Sequence, residues 1–473
     1  MSAVNQYIAT MTIYLPILRD SSASKADRIA TAIAADIKSG TLKLREKLPT
    51  HRDLASRLGV TPGTISRAYA LLERQGLLIG EVGRGTFVAD PHGPLGDLLV
   101  SGPDQTEARP IDLAVNRRAA PWVQTALSQT LQALDRERAW GMLMDYQPES
   151  GLDRHRSALA SWLGQQAFEV DPDRLILTAG AQHAVFLVFS VLASRGDVVL
   201  VEDFTYAGFK ALADELGLRL EPVRMDADGV DPDDLERCAK ATGAKWFYTM
   251  PQVHNPTGAV LSHGRRREVL RVARKQDFRI VEDGVYDFLS SDRVAPLAAM
   301  DEERIFYVTS FSKSLAPGLR AGCLVSPTEW VDRIARAVRR SMWMIPALGV
   351  ELCARWIADG ELDRLLVKQR EELSRRAETL KTALKEAAIV TPPGAAFAWV
   401  RLPPEVTSST VVAHSRELGI KLAPTEAFAV RRGLAGQFLR LNLSACDTSE
   451  ELGKALRLIA PLLSGESMAR AYY

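Results

Sequence analysis

From about Ile111 onward, short apolar runs recur at intervals that leave room for a helix between neighbours. Arg174–Thr178, Val198–Glu202, Trp246–Met250, Arg279–Glu282 and Ile305–Thr309 are such runs, and helical stretches separate them. A run that is apolar on both faces belongs to a buried strand, and strands spaced by helices belong to βαβ units. This pattern predicts an α/β fold built on a mostly parallel sheet. From about residue 345 to the end the texture is α+β, with a long helix around Glu361–Ala388, which predicts a smaller C-terminal subdomain.

Composition removes other classes. The chain has 473 residues, 47% hydrophobic and 25% charged, so it is neither fibrous nor chiefly disordered, and it is long enough for several domains. Its four cysteines, Cys238, Cys323, Cys353 and Cys446, are far apart and form no C-x-x-C pair. That spacing argues against a disulfide scaffold or a structural zinc site and for a reduced, cytoplasmic protein, with no metal expected. No run of about 18 apolar residues reads as a membrane span. The first 20 residues lack the basic and apolar regions of a signal peptide.

The front of the chain has its own character. Residues 25–90 hold eleven Lys/Arg against seven Asp/Glu, while the whole chain is +1, so the rest carries −3. A basic unit ahead of a slightly acidic one permits nucleic-acid binding. Residues 24–39 read as a helix, with Ser24 and Asp27 as a capping box and Ile29, Ile33 and Ile37 on one face. Residues 50–58 read as a second helix, capped by Thr50 with Asp53 and ended by Gly59. A third starts at Thr61 with Pro62 in its first position, and Gly76 closes it. Leu77–Ile79 and Thr86–Val88, flanking GEVGRG, read as a hairpin. GEVGRG follows a helix and ends in a strand, the reverse of a dinucleotide-binding loop. Residues 90–110 are rich in Pro, Gly and Asp and read as a linker after a unit at 24–89.

Helices in this order with a glycine-tipped hairpin make a winged helix-turn-helix. Thr61, Thr64 and Arg67 lie where a recognition helix meets base edges. Thr50 and Arg52 suit phosphate oxygens, and Arg84 at the wing tip suits a minor groove. The string LPTHRDLASRLGVTPGTISRAYALLERQGLLIGEVGRGTFV closely resembles the DNA-binding domain of the GntR family. Residues 1–23 form an N-terminal extension, in which MTIYLPIL has strand-like or docking character.

Five segments in the larger part carry chemistry, each following a strand-like run. In SFSKSLAPGLR, Lys313 suits a Schiff base, with Ser310 and Arg320 placed to hold a phosphate. In RIVEDGVY, Asp283 suits a protonated pyridine nitrogen and Tyr286 its ring oxygen. HNPTG offers Asn255 to that oxygen, and TAGAQ offers the amides of Ala181 and Gln182 at a helix N-terminus. Tyr206, in EDFTYAGF, can stack on the ring. The C-terminal edge of a parallel sheet is where open α/β folds bind ligands.

Residues 111–465 resemble the fold-type I aminotransferases. The resemblance implies pyridoxal 5'-phosphate as cofactor, with those residues in those roles. It adds Tyr146, in YQPESGLDRHR, reaching the phosphate of a neighbouring subunit in a homodimer, and Arg440, in FLRLNLS, clamping a carboxylate. A GntR-type unit joined to such a domain resembles the MocR subfamily of transcriptional regulators. The resemblance implies a regulator that binds operator DNA. It would sense an amino acid, an amine or pyridoxal phosphate itself through aldimine chemistry at Lys313. A working aminotransferase with an appended DNA-binding domain is the alternative, because nothing in the motifs excludes it and both Lys313 and Arg440 are present.

Overall fold

The computed structural model describes residues 14–18, 24–43, 46–74, 77–81, 85–88, 111–115, 120–290, 292–385, 387–404, 406–431 and 437–464. Arg84, Gly76 and the linker at 90–110 lie outside the described residues. Two compact units divide between Ser101 and Gly102.

In the first unit, local chemistry sets the helix ends. Helix α1 (Lys25–Lys38) starts where the Ser24 side chain accepts the Asp27 amide and donates to the Asp27 carboxylate. Helix α2 (His51–Leu58) repeats the arrangement with Thr50 and Asp53, and Gly59 ends it at φ +62°. Helix α3 (Pro62–Arg74) packs Ile65, Ala68, Tyr69 and Leu72 against Ile29, Ile33 and Leu54. Burying each large side chain contributes about 1.5–3 kcal/mol. The Tyr69 hydroxyl donates to the Pro49 carbonyl at 2.9 Å, tying α3 to the turn before α2.

Strands β1 (Leu78–Glu81) and β2 (Gly85–Val88) form an antiparallel wing, paired Leu78 to Val88 and Glu81 to Gly85. The first strand starts at Leu78 and runs two residues past Ile79 toward the turn, and the second starts at Gly85, one residue before Thr86. Residues 46–48 add a third edge, with Leu48 donating to Thr86 and Val88 to Glu46. Part of the chain's first segment also docks here. Tyr14 and Leu18 pack on the same core, and the Tyr14 hydroxyl donates to Asp36 at 2.6 Å.

The second unit centres on seven strands: β3 (Leu175–Thr178), β4 (Val198–Glu202), β5 (Arg219–Val223), β6 (Trp246–Thr249), β7 (Arg279–Asp283), β8 (Ile305–Ser310) and β9 (Gly322–Val325). They lie in the order β3-β9-β8-β7-β6-β4-β5. All neighbours pair in parallel except β9, which runs antiparallel to both β8 and β3. The C-terminal ends of the other six therefore share one edge. Central strands are apolar on both faces because helices cover both: Ile280, Val281, Phe306 and Val308 are fully buried.

A smaller subdomain holds a three-stranded antiparallel sheet, β10 (Ala388–Val390), β11 (Phe397–Arg401) and β12 (Phe438–Asn442), with a core of its own. The long helix before it runs Glu361–Ala383, not to Ala388 as its sequence suggests. Beyond it, β-branched Ile389 and Val390 fit a pleated strand, and pairing with Trp399 and Val400 draws residues 388–390 into the sheet. Ile111–Asp112 pairs in parallel with Ile420–Lys421, and Leu113 is buried in this second core.

Candidate cofactor site and nucleic-acid face

Strand β8 delivers the chain to the sheet edge at Ser310, and a tight turn follows. The amides of Leu315 and Ala316 both donate to the Phe311 carbonyl. The turn holds Lys313 half-buried between Ser312 and Ser314, both buried. Neither hydroxyl has a hydrogen-bond partner among the described residues. The segment ends at Arg320, left-handed at φ +47°, whose guanidinium donates to the Ala179 carbonyl.

The arginine reaches that carbonyl because residue 180 is glycine. Gly180 sits at φ +88°, and a Cβ on it would lie 2.9 Å from Arg320 Nη2. Helix Ala181–Leu192 starts there without a side-chain cap, so its first amides have no intrahelical acceptor. The Gln182 side chain turns to the Gly208 carbonyl. His183 accepts the Ala179 amide at Nδ1 and meets the Ser341 hydroxyl at Nε2. Burial, and then the Arg320 charge, hold its pKa down to about 4, so it is neutral near pH 7.

On the neighbour of β8, strand β7 ends in Asp283, buried, with its two oxygens separately engaged. Oδ2 accepts from the Tyr248 hydroxyl at 2.7 Å, and Oδ1 accepts from the Val285 amide at 3.1 Å. Burial raises the Asp283 pKa to about 6, against the pull of those two donors. Tyr286 follows, buried edge-on to Phe397. Asn255, after β6, is also buried, and its Oδ1 accepts from Arg440 at 2.9 Å. Arg440 stands on β12, flanked by Phe428 at 4.7 Å and Phe397 at 5.8 Å, and also donates to the Ala114 carbonyl. Its Nε is buried without a partner among the described residues. A guanidinium so enclosed is costly unless an anion completes it.

These groups share one field. Lys313 is held down to about 8, by burial first and by Arg440 next, with Asp283 opposing and Arg320 adding. Burial, and then the Asp283 charge, raise Tyr206. Burial raises Tyr286, and Arg440 opposes it. So Lys313, Asp283, Tyr206, Tyr286, Asn255, Arg440 and Arg320 come together at the sheet edge, beside Ser310 and the amides of Ala181 and Gln182. Tyr146 does not join them. It is 77% exposed, 6.1 Å from the exposed Trp343 ring, with Met142 and Met144 also exposed nearby.

The site fits a phosphorylated pyridine aldehyde on its own chemistry. The phosphate end is a set of donors: helix amides, serine hydroxyls and a guanidinium. The buried hydroxyls of Ser312 and Ser314 and the Nε of Arg440 are orphaned groups of the kind a bound ligand satisfies. Sequence reasoning missed Ser312, Ser314 and Tyr248. The serines were legible as neighbours of Lys313. Tyr248 gave no signal, because within an apolar strand it reads as core.

In the front unit, Thr50, Arg52, Thr61 and Arg67 are exposed and Thr64 is half-buried. The Thr50 hydroxyl is already committed to Asp53. Thr61 and Thr64 hydroxyls meet at 3.0 Å, and Arg67 Nε donates back to the Gly63 carbonyl at 3.3 Å. Ser66, which sequence reasoning passed over, is exposed beside Arg67. This face offers small polar groups and a guanidinium, the types that meet base edges and phosphates.

Two family models match: "Aminotransferase class I and II" over residues 108–459 and "Bacterial regulatory proteins, gntR family" over residues 25–88. The uncharacterized HTH-type transcriptional regulator YdeF of Bacillus subtilis is 27% identical, over 92% of this chain and 93% of its own. The vitamin B6 salvage pathway transcriptional repressor PtsJ of Salmonella typhimurium is 28% identical, over 90% of this chain and 95% of its own. Among solved structures, the α-aminoadipate aminotransferase LysN of Thermus thermophilus, complexed with a phosphopyridoxyl-leucine, superposes with a TM-score of 0.69. It is 25% identical and covers 80% of this chain and 98% of its own.

Proposed function

The chain belongs to the aminotransferase class I and II family and carries a gntR-family unit ahead of it, the MocR architecture, and from that premise we propose that it is a DNA-binding transcriptional regulator dependent on pyridoxal phosphate. One observation carries the reading. Lys313, Asp283, Tyr206 and Arg440 share one electrostatic field in the larger unit, and the same chain carries a three-helix unit with a β-hairpin ahead of it.

Pyridoxal phosphate, when bound, supplies an aldehyde carbon conjugated to an electron-withdrawing ring. The residues set the terms. Lys313, with its pKa lowered to about 8, offers a nucleophilic amine. Asp283 would hold a proton at the pyridine nitrogen. Asn255 keeps its acceptor on Arg440, so its amide hydrogens face the other way, where they and Tyr286 would donate to the ring oxygen. Tyr206 would stack on the ring. Ala181, Gln182, Ser310, Ser312 and Arg320 would hold the phosphate. Arg440 would take a carboxylate, which favours an α-amino acid effector over a simple amine.

The exposed Tyr146, beside Trp343, would reach the phosphate site of a second copy, making the regulator a homodimer. Thr61, Thr64 and Arg67 would read bases, with Thr50 and Arg52 on phosphates. The effector acts only if it binds two arrangements of the regulator with different affinity.

Binding of the purified protein to DNA upstream of its own gene, against excess random DNA and across salt concentrations, tests the reading. Binding that survives competition supports a regulator. Equal competition by random DNA at every salt, with and without cofactor and amino acids, would overturn it. A second reading, a working aminotransferase, draws on Lys313 and Arg440, which are also the groups turnover needs. Sustained conversion of an amino acid with a 2-oxo acid acceptor would establish it.

A further inference from the structure

We propose that Tyr248 is a positioning residue for Asp283, fixing the carboxylate that faces the pyridine nitrogen; the inference rests on the cofactor reading above. Strands β6 and β7 are parallel neighbours, with Tyr248 opposite Val281, so the tyrosine reaches diagonally along the sheet to the strand's last residue. Its hydroxyl donates to Asp283 Oδ2 at 2.7 Å, and the pair is buried. Behind it, Phe209 lies nearly parallel to the tyrosine ring, centroids 4.0 Å apart. That stack leaves the ring one orientation, with the hydroxyl aimed at the carboxylate.

A carboxylate on a short side chain turns readily about its last torsion. Asp283 is held at both oxygens, by the hydroxyl at Oδ2 and the Val285 amide at Oδ1, so its plane is set before any ligand arrives. A phenylalanine at position 248 would fill the same space and keep the stack on Phe209. The hydroxyl is therefore the part of Tyr248 that packing does not require. Burial, with the Asp283 charge next, raises Tyr248 well above the usual phenol range, so it stays a donor. The other titratable groups facing the pair are Lys313 from the turn after β8, Asp287 from the turn after β7, Glu202 from β4 and Tyr206.

Losing the hydroxyl leaves Asp283 a stronger base. With pyridoxal phosphate bound, Asp283 would draw the pyridine proton more strongly to itself, and the Lys313 nitrogen would hold its own proton to higher pH. In the full-length protein loaded with pyridoxal phosphate, Tyr248→Phe should move the pH midpoint of the visible band upward by about one unit. It should also weaken cofactor binding about tenfold. The melting temperature should stay within a few degrees of the parent, since packing is kept. An unchanged midpoint and affinity in a folded variant would make Tyr248 a core residue only and overturn the inference. If the parent protein shows no visible band that depends on Lys313, the cofactor reading itself fails. Should Tyr248→Phe not fold, Phe209→Leu, which frees the ring and keeps the hydroxyl, should move the midpoint the same way by less. No movement there would also overturn the inference.

Discussion

Lys313 shows how little of a residue's chemistry lies in its identity. A solvated lysine stays protonated to about pH 10.4, yet burial and the Arg440 charge hold this one near 8. Below that value the amine is protonated and cannot attack; above it the lone pair is available. The rate of cofactor capture by the cofactor-free protein should therefore rise as pH climbs through about 8 and then level off. Stopped-flow absorbance checks this, and a rate that fell through the same window would contradict it. Arg440 illustrates shape at the same scale. Its planar fork is divided between Asn255 and Ala114 and lies between two aromatic rings. Lysine offers a point charge without the fork. Arg440→Lys should weaken carboxylate-bearing effectors about ten- to hundredfold, worth about 1.5–3 kcal/mol, and leave simple amines unaffected. Titrating the visible spectrum with an amino acid and with its decarboxylated amine separates the two.

Elements meet closely where the phosphate would sit. Helix Ala347–Ala358 lies against the turn that carries Arg320, and Gly349 is the contact point. A Cβ at position 349 would fall 1.8 Å from the Leu319 carbonyl oxygen, a backbone atom that no rotamer change can move. The helix or the turn must shift to admit a methyl group. Gly349→Ala should cost about 1–3 kcal/mol of stability in the larger unit. Cofactor affinity should fall with it, because Leu319 precedes Arg320. Calorimetry paired with cofactor titration checks both; full stability with intact affinity would mean the turn is more compliant than its packing implies.

The molecule as a whole is two compact units, each with its own core. A cofactor that binds one of them should raise one melting transition and leave the other in place. At a hundredfold excess over its dissociation constant the gain is about 2.7 kcal/mol. Two transitions that moved together on adding pyridoxal phosphate would show the units coupled in folding. Regulation asks for coupling of another kind. Lys313→Ala should keep the front unit's affinity for its operator and lose the response to amino acids. A response that persisted in this variant would place the sensor away from Lys313.

What the sequence determined by itself was whatever depends on neighbours along the chain. Ser24 with Asp27 and Thr50 with Asp53 announce helix starts because a cap closes within three residues. The strand runs announce a parallel sheet because period and composition are local properties. The segments around Lys313, Asp283 and Asn255 were legible because each follows a strand end, and such ends share one edge. The tertiary structure decided the rest, wherever a hydrogen bond closes between distant residues. It turned 388–390 into a strand rather than the tail of a helix. It ran β9 antiparallel inside a parallel sheet and added residues 46–48 to the wing. It brought Arg440 to Asn255, 185 residues away, and set Tyr248 against Asp283. A strand's own sequence says which residues alternate; only its pairing partners say what each of them meets.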